Sequence, residues 1–420
     1  MLQLSAPAHK INTSVLLSGS KSISNRLLIL QKTLGIKLHL SNVSDSEDTL
    51  QLTNALDQIV AGSKIIDIGH AGSDMRFLTA LLSVSELTTP VILTGSERMK
   101  QRPVGGLVEA LRSLGAQISY MEQPGFPPLA IKGTVLAGGE ITIDASISSQ
   151  FISALLLIAP AFNKGLKLHL TGTVVSRPYI EMTIALLRQL GIFVECTNNS
   201  ICVHPGNNTT PTSSALIIES DWSSASYWYS ICALSPGSEI ELTFLNQKSL
   251  QADSILPTLF EQLGVTTLFK DQSVYLSSTE NKAQEFNYDF TECPDIAQTL
   301  AVVCFALGIQ ANLTGLRTLK IKETDRISAL KNEIEKFGVS ITAQADSLFI
   351  PKNSILRKSN QFVPEFNINT YQDHRMAMSF APLVLVCKKL NITNPEVIHK
   401  SYPRFWGDLK SAGFNVNLQP

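Results

Sequence analysis

Leu190-Gly191-Ile192-Phe193-Val194-Glu195 reads as the end of a helix followed at once by the start of a strand. Leucine closes an apolar stripe, and glycine suits the left-handed position just past a helix end. The alternating apolar residues that follow fit a half-buried strand. The same joint recurs as Leu114-Gly115-Ala116-Gln117-Ile118-Ser119, Leu263-Gly264-Val265, Phe337-Gly338-Val339-Ser340-Ile341 and Ala412-Gly413-Phe414-Asn415-Val416. The five glycines are spaced by 76, 73, 74 and 75 residues, a near-constant period that marks an internal repeat.

A second phrase keeps the same register. Leu38-His39-Leu40-Ser41, Val91-Ile92-Leu93-Thr94, Leu166 to Thr171, Ile240-Glu241-Leu242-Thr243, Ala311-Asn312-Leu313-Thr314 and Leu390-Asn391-Ile392-Thr393 each precede an amphipathic helix. This gives six α/β units, the first without its closing glycine. Each unit opens with a helix that is apolar nearly all round, as in Phe151 to Ala159 or Ile296 to Val303. Such a helix is expected inside its domain with sheets packed around it. The second helix, as in Arg326 to Phe337, carries one apolar stripe and is expected outside. Six units in 420 residues divide into two three-repeat α/β domains, with the break near Ser220. Residues 20–220 form the first, and 1–19 with 221–420 the second.

Composition excludes several classes of function. Lys plus Arg is 34 against 35 Asp plus Glu, a formal charge of −1. Without a global basic field, nucleic acid and anionic membrane are not expected partners. A hydrophobic fraction of 44% with a charged fraction of 16% argues for two large cores and against disorder. The longest apolar runs, such as Ala154 to Phe162, are too short to span a bilayer, and the first residues lack the pattern of a secretory leader. Cysteines 196, 202, 232, 293, 304 and 387 form no C-x-x-C pair and no histidine cluster. They are expected as reduced core residues of a cytoplasmic protein.

Charge is instead concentrated locally. The apolar helices open with polar or cationic residues: Gly19-Ser20-Lys21-Ser22, Gly69-His70-Ala71-Gly72, Ser146 to Gln150, Asp221 to Ser226, Cys293-Pro294-Asp295 and Asp373-His374-Arg375. Any one of these is an ordinary N-cap. Repeated at the mouths of several buried helices, they describe an anion trap, because helix N-termini offer free amides and partial positive charge. Gly-Ser-Lys-Ser lacks the spacing of a phosphate-binding P-loop. Three further cationic segments lie between strand and second helix: Glu97 to Pro103, Lys320 to Arg326 and Lys400 to Arg404.

Taken together, these segments resemble the 3-phosphoshikimate 1-carboxyvinyltransferase (enolpyruvylshikimate-phosphate synthase) family. The resemblance runs end to end through Ser18-Gly19-Ser20-Lys21-Ser22-Ile23-Ser24-Asn25-Arg26, Gly72-Ser73-Asp74-Met75-Arg76, Arg98-Met99-Lys100-Gln101-Arg102-Pro103, Ser148-Ser149-Gln150, Ser176-Arg177-Pro178-Tyr179, Lys322-Glu323-Thr324-Asp325-Arg326, Asp373-His374-Arg375 and Lys400-Ser401-Tyr402-Pro403. It implies two inside-out α/β barrels of threefold pseudo-symmetry, with the active site in the interdomain cleft. It also implies that shikimate 3-phosphate and phosphoenolpyruvate are joined with loss of phosphate, by a monomer without metal or cofactor.

By the same resemblance, Ser148, Ser149, Gln150 and Ser176 hold the shikimate phosphate, Arg26 and Ser22 meet its carboxylate side, Asp295 and Lys322 meet the ring hydroxyls, and Lys21 also binds shikimate 3-phosphate. Phosphoenolpyruvate falls to Lys21, Gly72, Arg102, Gln150, Arg326, Arg375 and Lys400. Asp295 is implied as base with Lys21 as helper, and Glu323 as acid, two carboxyls that need different environments.

Three positions depart from the family pattern: His70, Ser73-Asp74 and Thr318. Asp74 places an acid beside the phosphoenolpyruvate positions, where a neighbouring arginine is expected to neutralise it. Gly72 leaves the space that glyphosate uses, so inhibition is expected. The sister family acting on UDP-N-acetylglucosamine is disfavoured, because Ser96 to Pro103 contains no cysteine acid. A non-catalytic anion binder is disfavoured because Asp295 and Glu323 are both present.

Overall fold

The computed structural model describes residues 1–87, 89–206, 215–280, 282–354 and 365–419. Its chain divides into two compact units, Gly19–Ile218 and Met1–Ser18 with Glu219–Pro420. Both are built from one phrase: a strand, a buried helix, a second strand parallel to the first, an outer helix, and an antiparallel hairpin that closes the sheet.

In the unit Gly19–Ile218, Ile65–Asp67 pairs in parallel with Val91–Thr94, which pairs antiparallel with Leu129–Lys132, and Gln117–Tyr120 forms the edge. The next repeat builds the same sheet from Gly139–Asp144, Leu166–Thr171, Ser200–Val203 and Val194–Cys196. The first repeat is abbreviated to a two-stranded sheet, His39–Ser41 parallel to Ala215–Ile217. In the other unit the amino-terminal residues are strands of two different sheets. Leu2–Ser5 completes the sheet of Phe366–Ile368, Lys389–Ile392 and Asn415–Leu418, while Asn12–Val15 opens the sheet of Glu239–Thr243. A third sheet comes from Glu285–Asp289, Gln310–Thr314, Ser347–Ile350 and Thr342–Ala343.

All five joint glycines take positive φ, from 83° to 100°, the conformation a side chain disfavours. Burial separates the two helix types as their sequences require. All eleven residues of Ala297–Leu307 are buried, as are twelve of thirteen in Trp222–Leu234, nine of ten in Ser149–Ile158 and eleven of thirteen in Gly72–Val84. The outer helices Glu47–Val60 and Arg177–Gln189 bury one face only. One expectation is corrected: the first helix of the first repeat, Lys21–Leu34, buries seven of its fourteen residues. Its sheet has two strands rather than four, so less surface is available to cover it.

A Cβ built on Gly115 meets only Leu136 Cδ2, at 3.8 Å. Gly115→Ala therefore tests the joint with little steric interference. The left-handed conformation should cost about 1–2 kcal/mol, read as a lower urea midpoint with an unchanged m-value.

Candidate active site

In the unit Gly19–Ile218, the residues singled out from sequence stand mainly at helix starts. Ser20 caps the helix Lys21–Leu34 by accepting from the Ile23 amide at 3.5 Å. Lys21, in its first turn, sets Nζ 2.9 Å from Asp48 Oδ2. Arg26, 4% exposed, donates from Nε to Thr183 Oγ1 at 2.8 Å and from Nη1 to the Ser22 carbonyl at 2.9 Å. Its Nη2 donates to Ser153 Oγ at 3.3 Å and the Tyr179 carbonyl at 3.2 Å. Among the described residues, these bonds occupy four of about five guanidinium N–H groups. Burial among neutral acceptors lowers the Arg26 pKa to about 10, against a smaller opposing pull from Tyr179, so the side chain remains a cation at neutral pH.

Gly72 begins the helix Gly72–Val84. A Cβ there would lie 2.3 Å from Arg102 Nη1 and 2.7 Å from Cζ, so the guanidinium lies against the bare Cα. Arg76 ties the two segments together, donating from Nη1 to the Gly72 carbonyl at 2.9 Å and from Nη2 to the Pro103 carbonyl at 2.6 Å. Ser148 caps the helix Ser149–Ile158 through the Gln150 amide at 3.2 Å, and Ser149 is buried. Ser176, also buried, takes a left-handed φ of 51° as it opens the helix Arg177–Gln189.

The departures from the family pattern have structural accounts in part. His70 is exposed, with Nδ1 2.9 Å from Ser96 Oγ. The Thr318 hydroxyl is buried without a hydrogen-bond partner among the described residues. Asp74 is fully buried, but the expected arginine is not its hydrogen-bond partner. Its Oδ1 accepts from Asn25 Nδ2 at 2.8 Å and Ser73 Oγ at 3.3 Å, while Oδ2 has no partner among the described residues. Burial, then the charge of Asp48, raises its pKa well above the ordinary carboxylate range, more than Lys21, Ser73 and Asn25 lower it.

In the unit Met1–Ser18 with Glu219–Pro420, the charged residues converge on Arg326, which is 1% exposed. Its Nε meets Asp373 Oδ2 at 2.7 Å, Nη1 meets Asp295 Oδ1 at 3.3 Å and Nη2 meets Glu323 Oε2 at 2.8 Å. Lys400 Nζ reaches Glu323 Oε1 at 2.8 Å, and Lys322 Nζ lies 3.6 Å from Asp295 Oδ1. Arg375 Nη2 is 3.3 Å from Asp295 Oδ2, and its Nη1 donates to the Asp295 carbonyl at 2.9 Å. Four cations thus surround three carboxylates. Burial alone would lower the Arg326 pKa, but the carboxylates of Asp373, Glu323 and Asp295 raise it despite the opposing charge of Arg375.

Sequence reasoning missed two buried acids behind these groups. Asp48 is the Lys21 partner. Asp253 accepts from Ser223 Oγ, which itself accepts from Arg375 Nη2 at 3.3 Å. Burial, then Asp295, raises the Asp253 pKa to about 7, with Arg375 and Ser223 opposing. Asp48 sits in Ser46-Glu47-Asp48 at a capped helix start, so its sequence signal was that of an ordinary cap. The cysteine expectation is corrected in part. Cysteines 232, 293, 304 and 387 are buried, whereas Cys196 is exposed and Cys202 is half-buried. The hairpin register sets Cys202 opposite Glu195, and His204 follows two residues on.

The family model for EPSP synthase (3-phosphoshikimate 1-carboxyvinyltransferase) matches residues 56–409. A 3-phosphoshikimate 1-carboxyvinyltransferase of Bacteroides fragilis is 45% identical over 419 residues, covering 99% of this chain and 98% of the relative. One of Photobacterium profundum is 34% identical, covering 96% and 97%. Among solved structures, an EPSP synthase from Acinetobacter baumannii superimposes with a TM-score of 0.74 at 21% identity, covering 99% of this chain and all of the other. The enolpyruvyl transferase NikO from Streptomyces tendae gives 0.73 at 13% identity, covering 99% and 98%. At these identities the two structures speak for the fold alone.

Asp74 provides a test of the buried charge. A carboxyl whose folded pKa is raised contributes stability that is complete below its ordinary value of 3.8 and is lost as pH rises through the folded value. Asp74→Asn keeps the acceptor for Asn25 and cannot ionise. Its Tm should match the parent near about pH 4 and exceed it by a few degrees near about pH 8; calorimetry at both pH values checks this.

Proposed function

The chain belongs to the EPSP synthase family, and from that premise we propose how its charged side chains divide the reaction. That reaction transfers the enolpyruvyl group of phosphoenolpyruvate to the 5-hydroxyl of shikimate 3-phosphate and releases inorganic phosphate. The shikimate phosphate is assigned to the starts of the Ser149 and Arg177 helices, through Ser148, Ser149, Gln150 and Ser176. The helix amides there favour a doubly charged group. Ser22 and Arg26 take the carboxylate side, and Lys21 also binds shikimate 3-phosphate. Asp295 and Lys322 take the ring hydroxyls. Phosphoenolpyruvate is assigned to Lys21, the Gly72 backbone, Arg102, Gln150, Arg326, Arg375 and Lys400.

One observation carries the acid–base assignment: Asp295 and Glu323 bind different nitrogens of the same buried guanidinium, Arg326, at 3.3 and 2.8 Å. Two carboxyls are thereby fixed on one rigid planar group, each within reach of a different part of a ligand. Asp295 takes the proton of the 5-hydroxyl as its oxygen bonds to the central carbon of phosphoenolpyruvate. Glu323 gives a proton to the methylene carbon. In the elimination that follows, the methyl group returns a proton and the carbon–phosphate oxygen bond breaks.

Glu323 becomes an acid by ion exchange. Arg326 and Lys400 both contact its carboxylate. When the phosphate or carboxylate of phosphoenolpyruvate takes over those cations, Glu323 loses the charges that favoured its ionised form and can hold a proton. Lys21, paired to Asp48, acts in this reading as an ammonium that stabilises developing charge. Six unpaired cysteines suit the reducing cytoplasm, where the reading places the protein as a monomer.

Phosphate release should require both substrates and fail when UDP-N-acetylglucosamine replaces shikimate 3-phosphate. Release with the UDP-sugar instead would overturn the substrate assignment. Glu323→Gln spares every cation, so phosphoenolpyruvate binding should persist while turnover falls about 10²–10⁴-fold; binding calorimetry beside steady-state kinetics separates the two. Gly72→Ala displaces the Arg102 guanidinium. It should raise KM for phosphoenolpyruvate about tenfold or more and weaken competitive inhibition by glyphosate, with a smaller change in kcat.

A further inference from the structure

We propose that Glu195, Cys202 and His204 form a site for a zinc-class divalent cation on the closing hairpin of the third repeat. Their ligand atoms all lie within 4.8 Å of one another. His204 Nε2 is 3.0 Å from Glu195 Oε2 and 3.9 Å from Cys202 Sγ. Tetrahedral bonds of about 2.0–2.3 Å to nitrogen, oxygen and sulfur put neighbouring ligand atoms about 3.3–3.6 Å apart. The observed separations bracket that range, so small rotations about side-chain torsions would close the site around an ion.

The backbone sets this cluster. Glu195 on Val194–Cys196 lies directly opposite Cys202 on Ser200–Val203, where cross-strand side chains are nearest neighbours. His204 follows Cys202 by two positions, so it projects from the same face. The pairing continues past the strand end, with the His204 amide donating to the Phe193 carbonyl at 3.0 Å. The Phe193 ring lies 4.8 Å from the imidazole, centroid to centroid, limiting its rotation.

The neighbouring charges do not block the site. Lys167 pairs with Cys202 from the other side of the strand, but its ammonium bonds to Glu140 at 3.2 Å. Burial, then Glu195, raises the Cys202 thiol pKa, against the opposing charge of Lys167. A bound metal would replace the thiol proton. On binding, sulfur gives that proton to solvent, and the imidazole offers its Nε2 lone pair with the ring proton on Nδ1. The donor set of one thiolate, one imidazole and one carboxylate suits zinc or cobalt over magnesium or calcium, and leaves a fourth position for water. The ion would clamp two strands of one sheet, Val194–Cys196 and Ser200–Val203.

Cobalt(II) tests the proposal because thiolate ligation gives it a charge-transfer absorption. Metal-stripped full-length protein titrated with cobalt should develop this band at one ion per chain, with about one proton released. Cys202→Ser should abolish the band and His204→Ala should weaken binding at least tenfold, while Cys196→Ser keeps it. Unchanged turnover of stripped Cys202→Ser shows that the variant folds. Zinc should raise the Tm of the parent and not of Cys202→Ser. Absence of the band in the parent, or its loss in Cys196→Ser with survival in Cys202→Ser, overturns the site.

Discussion

A helix enclosed by protein cannot turn its first amides to water, yet those amides must be paired or face a ligand. That constraint links the cores of this molecule to its chemistry. Trp222–Leu234, Ala297–Leu307 and His374–Phe380 are buried along their length, so polar contact is available only near their ends. Their starts carry Asp221, Asp295 and Asp373. In the other unit the corresponding starts carry Lys21, Gly72 and Ser148. Asp221, Asp373 and Ser148 cap these starts through their side chains, so the polar groups of both units collect at the helix ends.

Arg326 meets the same constraint with a full charge. Burying a guanidinium is costly unless its charge and its donors are matched. Here three carboxylates match them, from Asp373, Glu323 and Asp295. Asp373, fully buried and capping the next helix through the Arg375 amide, is the fixed member. Asp295 and Glu323 retain some exposure. A lysine at 326 could not hold three carboxylates in fixed planar directions. The geometry therefore separates one fully buried acid from two that are partly exposed.

The repeats were legible because their signals are local. A glycine with positive φ after an apolar helix, and a short strand ending near Thr or Ser before the next, need no knowledge of distant residues. The depth to which Lys21–Leu34 is buried was not legible. Its sheet depends on Ala215–Ile217, far along the chain. The cations of the candidate site could be read because Lys and Arg at the mouth of an apolar helix are unusual. Asp48 and Asp253 could not, since an aspartate near a helix start is an ordinary cap until the packing of another helix sets a cation or a second acid beside it. Glu195, Cys202 and His204 were hidden for a similar reason: only the hairpin register turns a spacing of seven residues into a direct contact.

At Gly72 the structure adds a constraint that the sequence did not show. In sequence, a glycine at that helix start suggests room for a ligand against the backbone. In the structure, a Cβ would first meet Arg102, and Arg76 holds the two segments together through the Gly72 and Pro103 carbonyls. The missing side chain thus serves the arginine before it serves any substrate. Because a guanidinium end can swing aside, a methyl group at this position need not unfold the helix. It would move a cation, and in a site that works by placing charge, a displacement of that kind alters affinity while leaving the fold intact.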